Sequence, residues 1–168
     1  LIEYRRTNEK LIEIKEKSKF TNKHGAQFDL VIYTSKVDNV DHIALVKGEI
    51  KEDKPALVRM HHLNILDDCL EDSQNGKSDL LSKAIKEVSE SESGVVVIIR
   101  QPNESISHLL RNEANKPQNK EQQLRNYGTG AQILADLGVR DMILLTNSKK
   151  SVVGLDGYKI KICGYKKI

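Results

Sequence analysis

Residues 94 to 99 read G-V-V-V-I-I, and this run without a polar position constrains the fold more than any other feature. A strand with one wet face alternates apolar and polar residues, whereas a continuous apolar run suits a strand covered on both faces. Two helical stripes are available as cover. Leu80, Leu81, Ala84, Ile85 and Val88 recur at helical spacing, with Ser78 as the expected N-cap and the S-E-S-E-S-G run ending the helix. Tyr127, Ala131, Leu134 and Leu137 form a second stripe, closed by Gly138.

Further strands are expected at Phe28 to Thr34, His42 to Val46, Ala56 to His62, Asp141 to Thr146 and Tyr158 to Gly164, where β-branched and other apolar residues concentrate between polar turns. A strand-rich first third followed by alternating strand and helix gives an α+β chain, a mixed β-sheet with packed helices rather than a regular doubly wound fold. At 168 residues, one such domain buries roughly 70% of the surface its unfolded chain exposes. Residues 1 to 17 place Leu1, Tyr4, Leu11, Ile12 and Ile14 among charges and read as a connecting helix. Residues 102 to 123 are polar and proline-interrupted, a loop with at most one short helix, near Ser105 to Arg111.

Charge excludes some functions. The net charge of +3 is mild, its excess lies at the two ends of the chain, and Asp67 to Glu92 is acidic. With no tryptophan and only Phe20 and Phe28, platforms for stacking bases are nearly absent, so no nucleic-acid partner is expected. No apolar run reaches the length of a membrane span, and no membrane partner is expected. Cys69 and Cys163 cannot make a disulfide framework and fit a reduced, cytoplasmic compartment. No signal peptide precedes the fold, and the start at Leu1 reads as a piece of a longer protein.

The stretch Leu57 to Lys77 holds most of the candidate chemistry: a strand, two adjacent histidines, then an acidic run. His61 and His62 alternate on a strand, so their side chains point to opposite faces. One of them could join Asp67, Asp68 or Cys69 around a metal, but no closed C-x-C or H-x-x-x-H spacing is present. Asp67, Asp68, Glu71 and Asp72 match no calcium loop and read as a solvated acidic loop. G-T-G at Gly128 to Gly130 reads as a turn ahead of a helix. Thr146 and Asn147, with Lys149 and Lys150 behind them, form a phosphate-facing corner at a strand end.

Five segments in one order carry a resemblance: D-H-I-A-L-V-K-G-E-I (41 to 50), L-V-R-M-H (57 to 61), I-I-R-Q (98 to 101), R-N-Y-G-T-G-A-Q-I-L-A-D-L-G-V (125 to 139) and L-L-T-N (144 to 147). Together they resemble GTP cyclohydrolase II, the zinc enzyme that opens GTP at the start of riboflavin biosynthesis. The resemblance covers residues 20 to 168 and implies a GTP cyclohydrolase II-like domain there. The leading L-I-E-Y-R-R resembles the linker of bifunctional riboflavin proteins, so residues 1 to 19 are expected to be an interdomain linker helix. The implied partner is an N-terminal 3,4-dihydroxy-2-butanone 4-phosphate synthase domain of the same chain, in a homodimer.

The family's zinc sits on three cysteines, in H-S-E-C-L-T-G-D and C-D-C-G. A gapless reading places Asn64, Asn75 and Lys77 at those positions. Amides are poor zinc ligands, and lysine must lose a proton before it can donate, so no metal and no cofactor are expected. Bound zinc lowers the pKa of water from 15.7 to about 7, and without it no activated water forms near neutral pH. The family's R-Q-E-G-R appears as Arg100, Gln101, Pro102, Asn103 and Glu104, which puts a glutamate where a cation faced the triphosphate. In D-x-R-D-Y the proton-accepting aspartate is Gln123, while the arginine taken as nucleophile persists as a vestigial Arg125. Arg59, His61, Thr146 and Lys150 are the phosphate-binding candidates, and Ser151 replaces the terminal lysine. The expectation is a degenerate domain with a structural or regulatory role. The alternatives are a hydrolase with His61 or His62, Asp68 and Cys69 as replacement ligands, or a module that binds GTP or phosphate through Arg59, Arg125, Thr146 and Lys150.

Overall fold

The computed structural model describes residues 9–74, 76–102, 105–110, 120–147 and 156–168, with backbone alone at 108, 120–124 and 156. Among the described residues, seven strands form one sheet: β1 (Ile12–Thr21), β2 (Gln27–Ser35), β3 (Asp41–Lys47), β4 (Ala56–His62), β5 (Gly94–Ile99), β6 (Asp141–Leu145) and β7 (Lys161–Lys166). Their spatial order is β1-β2-β3-β5-β4-β6-β7. β1, β2 and β3 form an antiparallel meander attached to β5, and β5, β4, β6 and β7 run parallel. The mixed sheet is as expected, and its helices are α1 (Ile65–Asp68), α2 (Leu80–Glu90), α3 (Ile106–Leu110) and α4 (Lys120–Asp136).

The all-apolar run takes the centre. Val95, Val97 and Ile99 join Val31, Tyr33, Ala44 and Val58 under Ala131, Ile133 and Leu134 of α4. Val96 and Ile98 face the other way, toward Ala84 and Val88 of α2. Every residue of β5 is buried, and each such valine or isoleucine is worth roughly 1.5–3 kcal/mol relative to its exposed state. Gly94 opens the strand because a Cβ there would lie 2.6 Å from the Leu57 carbonyl oxygen.

Four local expectations are corrected. Ile12–Thr21, within the segment read as a linker helix, is instead the edge strand β1, paired with β2 from Ile12 opposite Ser35 to Thr21 opposite Gln27. Cross-strand pairing overrides weak local preference there, and Lys15, Lys17 and Lys19 keep the outer edge from pairing further. Residues 1–8 lie outside the described residues. The second helix is capped at Asp79 rather than Ser78, without a side-chain cap bond. G-T-G lies inside α4 and not ahead of it; Gly130 passes so close to β4 that a Cβ would sit 2.1 Å from Met60 Cε. The last strand begins at Lys161, because Asp156–Tyr158 is a 3₁₀ turn and Lys159 adopts φ 60°.

Candidate functional site

Parallel strands β5, β4 and β6 end side by side, and the groups beyond their carboxyl ends converge on one edge of the sheet, where open α/β sheets place ligands. Alternation along β4 divides this edge. Ala56, Val58 and Met60 face α4, Leu57 faces α2, and so Arg59 and His61 lie on the α2 side with His62 on the α4 side. The two histidines do point to opposite faces.

On the α2 side, Arg59 Nη1 donates to the Leu145 carbonyl at the end of β6 (3.2 Å), and Arg59 Nη2 lies 3.4 Å from His61 Nδ1. A guanidinium only donates, so Nδ1 accepts and the imidazole proton is on Nε2. That nitrogen lies 2.8 Å from Asp68 Oδ2, which also accepts from the Asn64 backbone N–H at 2.9 Å. Both His61 ring nitrogens therefore face protein partners. Burial lowers the pKa of Arg59 from its ordinary value, against the raising influence of Asp68.

Asn64 starts the next turn. Its Oδ1 accepts from Leu66 N (2.9 Å) and Asp67 N (3.3 Å), making it the N-cap of α1. The acidic run is not simply solvated: Asp67 is 6% exposed and the Asp68 side chain 2%. Burial, then Asp68, push the Asp67 pKa up, while Lys77 pulls it back. Sequence spacing suggested solvent because adjacent aspartates look soluble; the strand histidine that accommodates Asp68 is seven positions away.

On the α4 side, His62 is pushed down to about 4, first by burial and then by the neighbouring His61, Arg59 and His42. His42, 3% exposed, accepts the Arg100 backbone N–H on Nδ1 at 3.1 Å and is also lowered, chiefly by burial. Sequence reasoning passed over this histidine, although alternation with Ala44 and Val46 along β3 marks it as inward-facing. Arg100 Nη1 turns to the Asp41 carbonyl (3.2 Å), and Gln101 Nε2 donates to Asn126 Oδ1 (3.2 Å).

Arg125 belongs elsewhere. It lines a shallow surface depression with room for about 20 Å³, together with Ile12, Ser35, Asp38 and Thr129; neither Arg59, His61 nor Thr146 contributes to it. Thr146 follows β6, its N–H bonded to the Lys166 carbonyl at 3.0 Å, next to the carbonyl that Arg59 reaches. Arg59, His61 and Thr146 are thus gathered, and Arg125 is not. Lys150, Asn75, Glu104 and Ser151, and the side chain of Gln123, lie outside the described residues.

Zinc requires thiolate, imidazole or carboxylate donors. At position 64 an amide oxygen already accepts two backbone N–H groups, and at 77 an exposed ammonium has no lone pair. These groups do not fit zinc. The replacement set is not assembled either: Cys69 is exposed, His62 faces away, and His61 is held by Asp68. Among the described residues, no three His, Cys, Asp or Glu side chains come together as a metal-binding group. No helix of the described residues is long and apolar enough to cross a membrane.

Comparison with known proteins places this geometry. The GTP cyclohydrolase II family model matches residues 13–167. The monofunctional riboflavin biosynthesis protein RIBA 2 of Arabidopsis thaliana is 38% identical over 98% of this chain, and RibBA of Chlorobium phaeovibrioides 34% identical over 96%. The chain spans 36% and 42% of those relatives' lengths. The crystal structure of RibBX, a two-domain 3,4-dihydroxy-2-butanone 4-phosphate synthase from A. baumannii, superposes with a TM-score of 0.65 at 27% identity, covering 99% of this chain and 42% of that one. With the match running from β1 into β7, the chain belongs to the GTP cyclohydrolase II family.

Proposed function

We propose that this domain keeps the GTP cyclohydrolase II fold without its zinc chemistry, and serves a structural or regulatory role for a 3,4-dihydroxy-2-butanone 4-phosphate synthase domain in the same cytoplasmic, homodimeric protein. The observation that carries the reading is the chemistry at the family's ligand positions: Asn64 spends its amide oxygen on a helix cap, and Lys77 presents an ammonium. Without a metal, nothing at this edge lowers the pKa of water toward neutrality. The A. baumannii neighbour is a two-domain protein described as a synthase, which supports the same reading. Arg59 bonded to the Leu145 carbonyl and to His61 has less to offer a phosphate, which speaks against the alternative of a phosphate-binding module.

Metal analysis of the purified full-length protein, paired with an assay for formate release from GTP, tests the proposal. Far less than one zinc per chain and no formate are expected. Near-stoichiometric zinc with formate release overturns it.

A further inference from the structure

The turn that carries the family's first ligand position is held by hydrogen bonds that leave no role for a metal in keeping it closed. Asp68 Oδ2 receives two donors, His61 Nε2–H at 2.8 Å and Asn64 N–H at 2.9 Å. The Asn64 carbonyl returns the contact by accepting from Asp68 N at 2.8 Å. The Asn64 side chain takes Leu66 N and Asp67 N, and Ile65 O takes Cys69 N at 3.1 Å. Behind the turn, Arg59 joins His61 Nδ1 to the Leu145 carbonyl. The following chain is fastened as well, by Asp72 N donating to Leu66 O at 3.0 Å.

We infer that Arg59, His61, Asp68 and Asn64 form a metal-independent clasp, which ties the turn after β4 to the ends of β4 and β6 and does the cross-linking that a bound ion would otherwise supply. This deepens the proposed function and rests on it for the absence of zinc. Charge supports the arrangement. The His61 imidazole lies between a guanidinium and a carboxylate, and the pairing is directional because Arg59 can only donate and Asp68 only accept. Buried bonds to charged groups are the strong ones, and removing one partner strands the rest. Asp68 is the keystone because its single oxygen Oδ2 joins the strand to the turn.

The test is a double-mutant cycle in the full-length protein, read by thermal melting with and without excess chelator. Asp68→Ala is expected to lower the melting midpoint by roughly 4–10 °C. His61→Ala is expected to cost much less in the Asp68→Ala background than in wild type, and chelator to move neither protein. The exposed control Asp53→Ala melts as wild type. Additive effects of His61→Ala and Asp68→Ala, or an Asp68→Ala midpoint equal to that of the control, overturn the clasp. Should the variants fail to fold, nitrogen NMR of the wild-type imidazole decides: Nε2 protonated and Nδ1 bare is required, and the opposite tautomer refutes it. A chelator-sensitive melt with bound zinc instead refutes the proposed function, and is distinguishable because it leaves the tautomer result standing.

Discussion

Acid should destabilise this domain well above the pH at which its carboxylates titrate, and His62 should be the main cause. Its imidazole is held neutral in the fold, with a pKa near 4 against an ordinary 6.5, by burial and by the surrounding His61, Arg59 and His42. Above pH 6.5 the ring is neutral in both states and contributes no pH dependence. As pH falls from 6.5 toward 4, the unfolded chain takes up the proton and the folded one does not, so stability is lost across that window. The gap between about 4 in the fold and 6.5 outside it corresponds to at most about 3.4 kcal/mol, of which about 2 kcal/mol is lost by pH 5. In a chain of this size that is a fall of roughly 4–8 °C in melting midpoint. His42, lowered in the same direction, adds to the wild-type slope, while Asp67, raised, opposes it at lower pH. Both terms cancel when wild type is compared with His62→Gln. Denaturant unfolding of the two proteins at half-unit steps from pH 7.5 to 4.5 should give curves that converge as pH falls, the wild type losing more. Parallel curves would refute the reasoning, since they would mean that His62 is protonated as easily in the fold as outside it.

Two stability predictions follow from the backbone and the core. Gly48 adopts φ 68°, and a Cβ there would lie 2.2 Å from the Glu92 carbonyl oxygen, so Gly48→Ala should cost at least about 2 kcal/mol, read as a lower denaturant midpoint with an unchanged slope. Tyr33 is fully buried and its hydroxyl donates to Asp136 Oδ2 at 2.7 Å, so Tyr33→Phe should cost about 1.5–3 kcal/mol, whereas a value near zero would mean that the bond is not made in solution.

The central layer was legible in the sequence because burial on both faces leaves a signature that nothing else produces: Val95 to Ile99 have no polar position, and β5 has no wet face. The edge was not. Of β1, only Ile12 is buried and Phe20 partly so, and the remaining side chains point to solvent on a strand whose existence depends on β2 rather than on its own pattern. Glycines misled for the opposite reason. Gly128 and Gly130 read as turn residues, yet both lie inside α4, and a Cβ at Gly130 would meet the flexible tip of Met60. For the site, position was readable and pairing was not. Strand alternation put His61 and His62 on different faces, but it could not say that Asp68 would fold back onto His61 while Glu71 stayed exposed.

A site that binds an anion keeps donors unspent and pointed at solvent or at a cavity. Here most donors gathered at the end of β4 are engaged: His61 has both nitrogens in contact, Arg59 reaches the Leu145 carbonyl and His61, and Arg100 reaches the Asp41 carbonyl, while Arg59 Nε is buried without a partner. Arg125, which the resemblance marks as the family's nucleophile, lines a different depression. If the edge still served GTP, either these internal bonds would have to break on binding or Arg125 would have to cross to β4. Each costs free energy that triphosphate contacts would first have to replace, at about 1.5–3 kcal/mol per charged bond. The bonds from Arg59, His61 and Asp68 fix the strand ends and the turn after β4 without a ligand, although Arg59 Nε and Asp68 Oδ1 are buried with no hydrogen-bond partner. The same bonds that engage these donors hold the edge rigid, and rigidity is what the proposed supporting role asks of it.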